Sequence, residues 1–518
     1  MKKKQLRWTL WTIASPFILF IILCILIYLP PIQNFLVDKA AVYASEATGM
    51  NISVGRISLS FPLNLVVTDV DAASPHKDTL LSVRRLQVNV QLLPLLKKQV
   101  EVDGISLQGA TVNSNDLIHG MRLNGTLGEL FISSHGVALD PETAIVNKVL
   151  LKDTDLSLCL NDTAAADTAA SDTTYWKIIL QDIDLQNVSF ALDMPLDSLS
   201  LAASLDNATL RDGLIDLHKS AYSLQTFRIK NGRVRYDSGR PSATASADSL
   251  SAGLDPSHIA LTDIGVKLDS LYYEGRNMKA IISQFVLKER SGVEIVSTEG
   301  RLVSNDKVLR VPSLKLETRD SYLELNAAMD WNALDFKDEG LVSARLMADI
   351  GKPDVVRFMG SMDEKFIRQY PSEPLRIRTG IDGDLNKLKL TTLTAELPGA
   401  LGLFARGELT HLTDSLLRGG DITLEAETKD LKFVSTLAEG IEIPYGTRLE
   451  GKFTMAGTKM GTDLLLMQPE AQAVVAADTI PITVYNDSIS VADDFKMERA
   501  ARLFAKYDLS RDRYEADL

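Results

Sequence analysis

Most of the chain alternates apolar and polar residues, which is the pattern of a β-strand that buries one face. An apolar residue stands at every second position from 57 to 67, and we interpret this segment as one strand. Leu86, Val88, Val90 and Leu92 repeat the pattern, and it recurs on both sides of a turn at 319–321. The alternation therefore predicts a mainly β protein.

The N-terminal pattern is different, because residues 8–29 carry no charge. This run of 22 residues (29 − 8 + 1) exceeds the roughly 20 that a helix needs to cross a bilayer. The basic residues before it, at positions 2–4 and 7, should stay in the cytoplasm and leave the remainder outside. A cleaved signal peptide is the alternative, but its apolar region is shorter, about 7–15 residues. We therefore expect a transmembrane anchor.

Three segments have helical spacing of their apolar residues instead of strand spacing. They are a short amphipathic helix over 32–48, a helix over 354–370 between Pro353 and Pro371, and a short turn over 431–437. Proline suits the first turn of a helix and ends one that precedes it. The expected fold is thus a β body with a few short helices.

Two polar segments and the C-terminus complete this outline. Residues 161–174 and 238–251 consist of small and polar residues with little to bury, so we expect loops there. Residues 501–508 and 514–518 predict a hairpin in which the second strand reaches the last residue. Because an unpaired edge is unfavourable, this ending predicts a truncated chain.

A motif of about eight residues occurs four times, with two alternating apolar residues, a polar or glycine step, and further alternating positions. The four copies are 105–112, 149–156, 183–190 and 227–234. Their step residues are Gly109, Asp153, Asn187 and Asn231. Gly, Asn and Asp tolerate positive φ best, so the motif predicts a bulge or tight turn at each step. Such a repeat is typical of stacked supersecondary units, although an antiparallel sheet without a repeat also yields similar segments.

Composition and charge narrow the classes of function. The formal net charge is −13, from 68 acidic and 55 basic residues, and such a chain is a poor partner for nucleic acid phosphates. Its two cysteines, Cys24 and Cys159, are far apart in the chain, so we expect no disulfide framework.

The sequence shows no recognisable catalytic or cofactor motif. No two of its six histidines have the spacing of metal ligands on a helix face. Residues 446–452 imitate a phosphate-binding loop, but Phe453 stands where a magnesium-binding Ser or Thr is needed. Acidic pairs such as Asp182 and Asp184 suit the wet face of a strand. We therefore expect no enzyme, no metal site and no cofactor.

Two interpretations of the apolar alternation are open. In the first, Leu, Val and Ile side chains fill the closed core of a β-sandwich, and the protein is an anchored structural or adhesive scaffold. In the second, an open, curved sheet uses the same face as a groove for acyl chains. The residues that would line this groove are Ile105, Leu107, Val112, Ile183, Leu185, Phe190, Phe227, Ile229 and Val234.

Several segments, in this order, resemble the beginning of an AsmA-like protein, closest to the TamB group. They are the charged N-terminus with its single apolar run, then 48–50, 52–62, 78–83, 92–96, 102–110, 380–390, 397–400 and 405–407. The resemblance covers most of the chain as a series of short pieces. TamB-like chains are longer and have a further C-terminal domain that this sequence lacks.

The resemblance implies an inner-membrane anchor and an elongated, repetitive antiparallel β-groove in the periplasm, taco-like in cross-section. It implies that phospholipid moves toward the outer membrane, or that the protein helps outer-membrane assembly, with an outer-membrane protein as a partner. The corresponding division of the chain is a tip and anchor over 1–30, a short helix over 31–50, the groove over 51–350, a helix-interrupted β segment over 351–440 and a further β segment over 441–518.

Overall fold

In the computed structural model the described residues are 39, 41–42, 45, 50–60, 64–74, 79–91, 102–114, 120–139, 142–161, 175–239, 253–336, 340–359, 364–436, 445–468, 499–508 and 513–517. The chain divides into two compact units. The first comprises Met1–Thr244 and Ser257–Glu274, and the second comprises Ala245–Pro256 and Gly275–Leu518. Both are built mainly from strands, which confirms the predicted mainly β class.

The first unit is a sheet in which strands adjacent in the chain are hydrogen-bonded neighbours. Its strands are β1 (Asn51–Ser60), β2 (Asn64–Ala73), β3 (Thr79–Val90), β4 (Val102–Asn113), β5 (Met121–Leu139), β6 (Glu142–Leu160), β7 (Lys177–Met194), β8 (Leu199–Asp216), β9 (Ala221–Leu224), β10 (Thr226–Ser238) and β11 (His258–Glu274). The short β9 and the longer β10 both lie between β8 and β11, and only Gln225 separates them.

One pairing in this unit departs from the predicted antiparallel sheet. β6 and β7 run parallel, and Thr143 pairs with Lys177, an offset of 34 residues (177 − 143). A parallel pair requires a crossover connection, and residues 161–176 stand between the two strands in the sequence. The same offset separates the second and third copies of the sequence motif, so the two copies lie side by side in register. The prediction was wrong for this pair because the period of a strand does not specify the direction of its neighbour.

Of two predictions for the N-terminal part, one is wrong and the other lies outside the described residues. The segment from 57 to 67 is not one strand, because Leu59 in β1 pairs with Leu65 in β2 as part of an antiparallel hairpin. Pro62 stands between the two strands in the sequence, and proline interrupts strand pairing. Among the described residues, no helix is long and apolar enough to cross a membrane. The predicted span over 8–29 lies outside the described residues, as do the predicted loop residues 162–174 and 240–251.

The strands of the first unit bend at a common level, which we call the first crease. At this level the regular pairing of neighbouring strands skips one residue in each strand, and the skipped residues of neighbouring strands lie opposite one another. These residues are Gly55, Asp69, Arg84, Gly109, Gly128, Asp153, Asn187, Asp206 and Asn231. Five of them have positive φ, namely Asp69 (54°), Gly109 (63°), Asp153 (50°), Asn187 (51°) and Asn231 (53°). The predicted bulge or turn conformation of the four motif steps is therefore confirmed.

A second crease crosses the longer strands β6, β7 and β8. The registers leave Asn147, Gln181 and Asp212 opposite one another, and Asp212 has φ of 51°. The Asn147 side chain donates from Nδ2 to Oε1 of Gln181 at 2.9 Å. A left-handed residue changes the direction of a strand and disturbs its alternation. These three strands therefore consist of three segments separated by two bends.

The second unit is a sheet with antiparallel pairing between successive strands. Its strands are β12 (Asn277–Glu289), β13 (Glu294–Ser304), β14 (Val308–Thr318), β15 (Tyr322–Asp330), β16 (Leu341–Ile350), β17 (Leu375–Asp384), β18 (Lys387–Leu397), β19 (Leu401–Thr410), β20 (Gly419–Thr428), β21 (Arg448–Ala456), β22 (Lys459–Gln468), β23 (Arg499–Asp508) and β24 (Arg513–Asp517). The pairing of β23 with β24 confirms the predicted C-terminal hairpin.

Short helices cover parts of this second sheet. They are α1 (Trp331–Leu334), α2 (Lys352–Phe358), α3 (Glu364–Gln369) and a 3-10 turn (Val434–Thr436). The single helix predicted over 354–370 is thus two helices. Gly360 and Ser361, which are poor helix formers, stand between them in the sequence.

Aromatic packing and a buried carboxylate hold these helices against the strands. The rings of Phe366 and Tyr370 lie 5.8 and 5.2 Å from that of Phe433, in a buried cluster that also contains Leu397 and Leu431. A second buried cluster forms around Ala333, Val342 and Leu385 at the α1 side.

The buried carboxylate is Asp354 of α2. It accepts hydrogen bonds from the hydroxyls of Thr318 and Ser321 and pairs with Arg357 at 2.9 Å. Arg357 also pairs with Asp320 at 2.8 Å. A buried charge is tolerated when it is paired and hydrogen-bonded in this way, so α2 is fixed to the turn between β14 and β15.

The first crease makes a prediction about stability. Asn187→Val should destabilise the first unit by about 1–3 kcal/mol, because a β-branched residue at positive φ is strained. The substitution also removes the hydrogen bond from Asn187 Nδ2 to Asp153 Oδ1, which measures 2.9 Å. Asn187→Gly loses that bond but adopts positive φ without strain, so it should be the milder change. Equilibrium urea unfolding of the full chain measures both.

Ser189→Val is the matched control for this test. It places the same side chain two residues further along β7, where the backbone φ is not positive and a β-branched residue fits a strand well. An Asn187→Val variant no less stable than Ser189→Val would contradict the assigned conformation.

Candidate functional site

Four lateral rows of mostly aliphatic residues cross the first unit, each with one member in β3, β4, β5, β6, β7, β8, β10 and β11. Row 1 is Val88, Ile105, Ile132, Val149, Ile183, Leu210, Phe227 and Leu268. Row 2 is Leu86, Leu107, Leu130, Leu151, Leu185, Ala208, Ile229 and Val266. Row 3 is Val83, Ala110, Leu127, Thr154, Val188, Leu205, Gly232 and Ile264. Row 4 is Leu81, Val112, Gly125, Leu156, Phe190, Ala203, Val234 and Leu261.

The first crease runs between row 2 and row 3. On β6 the row members Leu151 and Thr154 are three positions apart instead of two, and on β7 Leu185 and Val188 show the same interval. A regular strand would place residues three apart on opposite faces. The left-handed residue between them restores the apolar side chains to one face.

Close approaches at two glycines show that the rows meet on the inner side of each bend. A Cβ atom placed on Gly232 in row 3 would lie 3.2 Å from Ile229 Cγ2 in row 2. At the second crease, a Cβ atom on Gly213 would lie 2.9 Å from Leu210 Cδ2 in row 1. Side chains on the two sides of each bend therefore converge, and we call the surface formed by rows 1 to 4 the apolar face.

Exposure changes systematically across the apolar face. Next to the first crease, Thr154 is 2% exposed and Ala208 is 3% exposed, whereas Phe190 in row 4 is 39% exposed. The Thr154 hydroxyl donates to the backbone oxygen of Lys152 at 3.2 Å, so this polar member of row 3 is satisfied locally. The face is deepest along the crease and accessible at row 4.

The nine residues predicted to line a groove all lie on this face. Ile105, Ile183 and Phe227 belong to row 1; Leu107, Leu185 and Ile229 belong to row 2; Val112, Phe190 and Val234 belong to row 4. Eight of them are half-buried and Phe190 is exposed, so none is fully buried. The structure thus aligns them in three rows, with β5, β6 and β8 supplying the members in between.

Row 3 was not among the predicted lining residues. Its members include Ala110, Val188 and Gly232, which are small or directly follow the motif step. The signal that could have identified them is the three-residue interval at each step. Apolar residues are two positions apart before and after the step but three positions apart across it. Thr154 could not have been found by hydropathy.

The crease presents polar groups on the side opposite the apolar face. Asp153, Asn187 and Asp206 are exposed. Asn187 donates to Asp153, and Asn231 donates to Asp206. Nearby on the same side, Arg211 pairs with both Asp182 and Asp184, the latter at 3.0 Å. These contacts link neighbouring strands across the bend.

A cavity of about 390 Å³ lies beside the last four members of row 4. Its lining includes Phe190, Val234 and Leu261 of row 4, but most of it consists of their neighbours along the strands, such as Ala202, Ser204, Arg233 and Arg235. Because successive side chains of a strand point to opposite sides of the sheet, these neighbours point away from the apolar face, and the cavity is not part of that face.

Elsewhere in the described part of the chain, no group of three His, Cys, Asp or Glu residues has the geometry of a metal site. Comparison with models of protein families gives no match, and comparison with curated proteins gives none either. The functional argument therefore depends on the apolar face itself.

The accessibility of row 4 makes a second prediction. Phe190→Ala should cost about 1–2 kcal/mol, because the residue is 39% exposed and even full burial of a Phe side chain contributes only about 1.5–3 kcal/mol. Phe366→Ala should cost about 3–5 kcal/mol, as expected for a buried aromatic residue, since Phe366 is only 2% exposed. Urea unfolding with hydrogen exchange resolved by unit measures the two changes separately. A penalty at Phe190 as large as that at Phe366 would mean that row 4 is covered.

Proposed function

We propose that this protein carries phospholipid along the apolar face of its first unit, which serves as an open groove for acyl chains. The observation that supports the proposal most strongly is the alignment of four aliphatic rows on the inner side of the first crease. A continuous apolar surface that a folded protein leaves accessible commonly marks a binding site.

The chemistry of the rows suits acyl chains. Leu, Val and Ile offer dispersion contacts but no directional bonds, and an acyl chain requires none. The most deeply placed positions, next to the crease, are occupied by small residues such as Ala208 and Gly232. The side chains around Gly232 already approach one another closely at this depth, so an acyl chain would lie over the aliphatic rows on their accessible side.

The length of the rows also suits lipid. Eight strands have seven spacings of about 4.8 Å, so each row extends over about 34 Å. The hydrocarbon part of one bilayer leaflet is half of the roughly 30 Å core, about 15 Å. A row could therefore accommodate an extended acyl chain along its whole length.

The proposed location of the protein and the proposed direction of lipid transfer come from the sequence. The uncharged run over 8–29 is proposed to anchor the chain in the inner membrane, with its N-terminus in the cytoplasm and its body in the periplasm. The resemblance to AsmA-like proteins of the TamB group supports transfer toward the outer membrane or help in outer-membrane assembly, with an outer-membrane protein as partner. The proposed role is carriage without catalysis.

A scaffold with a covered core is the second candidate. The buried clusters around Phe366 and around Val342 favour it for the second unit, because helices and turns there cover apolar strand residues. Both clusters of buried hydrophobic residues that the structure describes belong to that unit. In this alternative, the apolar face of the first unit would hold no ligand.

Lipid extraction distinguishes the two candidates. The full chain, purified from a diderm host in a mild detergent, should contain phospholipid in stoichiometric amount by mass spectrometry. Leu185→Asp combined with Ile229→Asp should reduce the bound lipid at least about tenfold, because two buried carboxylates oppose an acyl chain. Circular dichroism checks that the variant is folded.

Gln186→Glu is the matched control. It adds a carboxylate at the neighbouring position of β7, on the side opposite Leu185, with almost no change in size. It should retain the lipid of the unmodified chain. A folded chain that contains no lipid, or equal lipid in all three proteins, would contradict the groove and favour the scaffold.

A further inference from the structure

The side of the sheet opposite the apolar face contains a polar hollow between β8 and β10. Three cross-strand pairs form it: Asn207 with Lys230, Thr209 with Arg228, and Arg211 with Thr226. Together these six side chains line a cavity of about 320 Å³. They alternate along their strands with Ala208, Leu210, Phe227 and Ile229 of rows 1 and 2, so the hollow faces away from the apolar face.

Positive charge accumulates at this hollow in a chain with net charge −13. Arg228 stands directly opposite Lys267 of β11, and Lys230 is two residues from Arg228 on the same side. Like charges directly opposite each other in a sheet are destabilising. Lys267 is only 3.6 Å from Asp269, whereas Arg228 and Lys230 have no such neighbour among the described residues.

The nearby carboxylates are already engaged by other side chains. Arg211 pairs with Asp182 and Asp184. Asp206 accepts from Asn231 and lies 3.5 Å from Arg233. These three acids therefore already pair with Arg211, Asn231 and Arg233, and they do not pair with Arg228 or Lys230 in the hollow.

The remaining groups of the hollow are donors without acceptors. Within the part of the chain that the structure describes, the side chains of Asn207, Thr209, Thr226, Arg228 and Lys230 form no hydrogen bond or ion pair with one another or with other residues. Two adjacent cross-strand pairs, Asn207 with Lys230 and Thr209 with Arg228, place an amide, a hydroxyl, an ammonium and a guanidinium within reach of one oxyanion. Phosphate oxygens suit this set, because they accept several charge-assisted bonds at once.

We propose that this hollow binds a phosphate group, either free inorganic phosphate or the phosphate of a lipid headgroup. Arg228 and Lys230 supply the charge, and Thr209 and Asn207, which stand opposite them, supply the neutral donors. The binding relieves the repulsion between Arg228 and Lys267. This inference does not depend on the proposed lipid groove, because the two surfaces lie on opposite faces of the sheet.

Equilibrium dialysis of the full chain in a neutral detergent tests the site with two probes, inorganic phosphate and dihexanoyl phosphatidic acid. Arg228→Gln combined with Lys230→Gln should weaken binding by about a hundredfold, because each charge-assisted bond contributes roughly tenfold. The double variant removes like charges and therefore should fold at least as well as the unmodified chain. Arg235→Gln is the matched control on β10, since Arg235 already pairs with Asp237 at 2.7 Å, and it should change binding less than about twofold.

The two probes distinguish the source of the phosphate. Saturable binding of both probes supports a site for free phosphate, and binding of dihexanoyl phosphatidic acid alone supports a site for a lipid headgroup. Failure of the unmodified chain to bind either probe would overturn the proposal. Equal affinity in the unmodified chain and the double variant would also overturn it, because the two cations would then have no part in binding.

Discussion

The apolar face depends on one backbone constraint, the left-handed conformation of a residue in the middle of β2, β4, β6, β7 and β10. In a strand with unbroken alternation, Leu151 and Thr154 would point to opposite sides of the sheet. The φ of 50° at Asp153 changes the phase and bends the strand, so both residues point inward. Without these bends, rows 1 and 2 would lie on one face and rows 3 and 4 on the other.

A half-covered aliphatic face has an energetic consequence. Apolar surface that remains in contact with water forgoes about 25 cal/mol per Å² of stabilisation. A ligand that covers the face in the folded state stabilises that state by mass action. The second unit solves the same problem differently, because Phe366, Tyr370 and Phe433 cover apolar strand residues from within the chain. The two units thus represent an accessible and a covered use of the same strand pattern.

Because the sheet is a single layer, consecutive residues of one strand belong to two different surfaces. Ile229 belongs to the apolar face, whereas Arg228 and Lys230 belong to the polar hollow behind it. Adjacent positions in β10 are therefore under different constraints. Hydrocarbon contacts act on one face and charge complementarity acts on the other.

The sequence contains enough information for the strands, the motif and the step residues, because alternation and the preference for positive φ are local properties. It led to nine face residues that lie on three of the four rows. It could not predict the parallel pairing of β6 with β7, the hairpin between Leu59 and Leu65, or the location of Thr154 beside the crease. The hairpin is local and was missed because the alternation continues through Pro62, whereas the other two features depend on contacts between distant segments. The polar hollow is of the same kind, since Thr209 and Arg228 meet only through the register of β8 and β10.

Photocrosslinking in the native membrane tests the central claim most directly. A benzophenone amino acid at position 107 lies in row 2 of the apolar face, and one at position 111 lies on the opposite, exposed side of the same strand. We predict a covalent phospholipid adduct from position 107 and none from position 111. No adduct from position 107, or equal yields from both positions, would contradict the account.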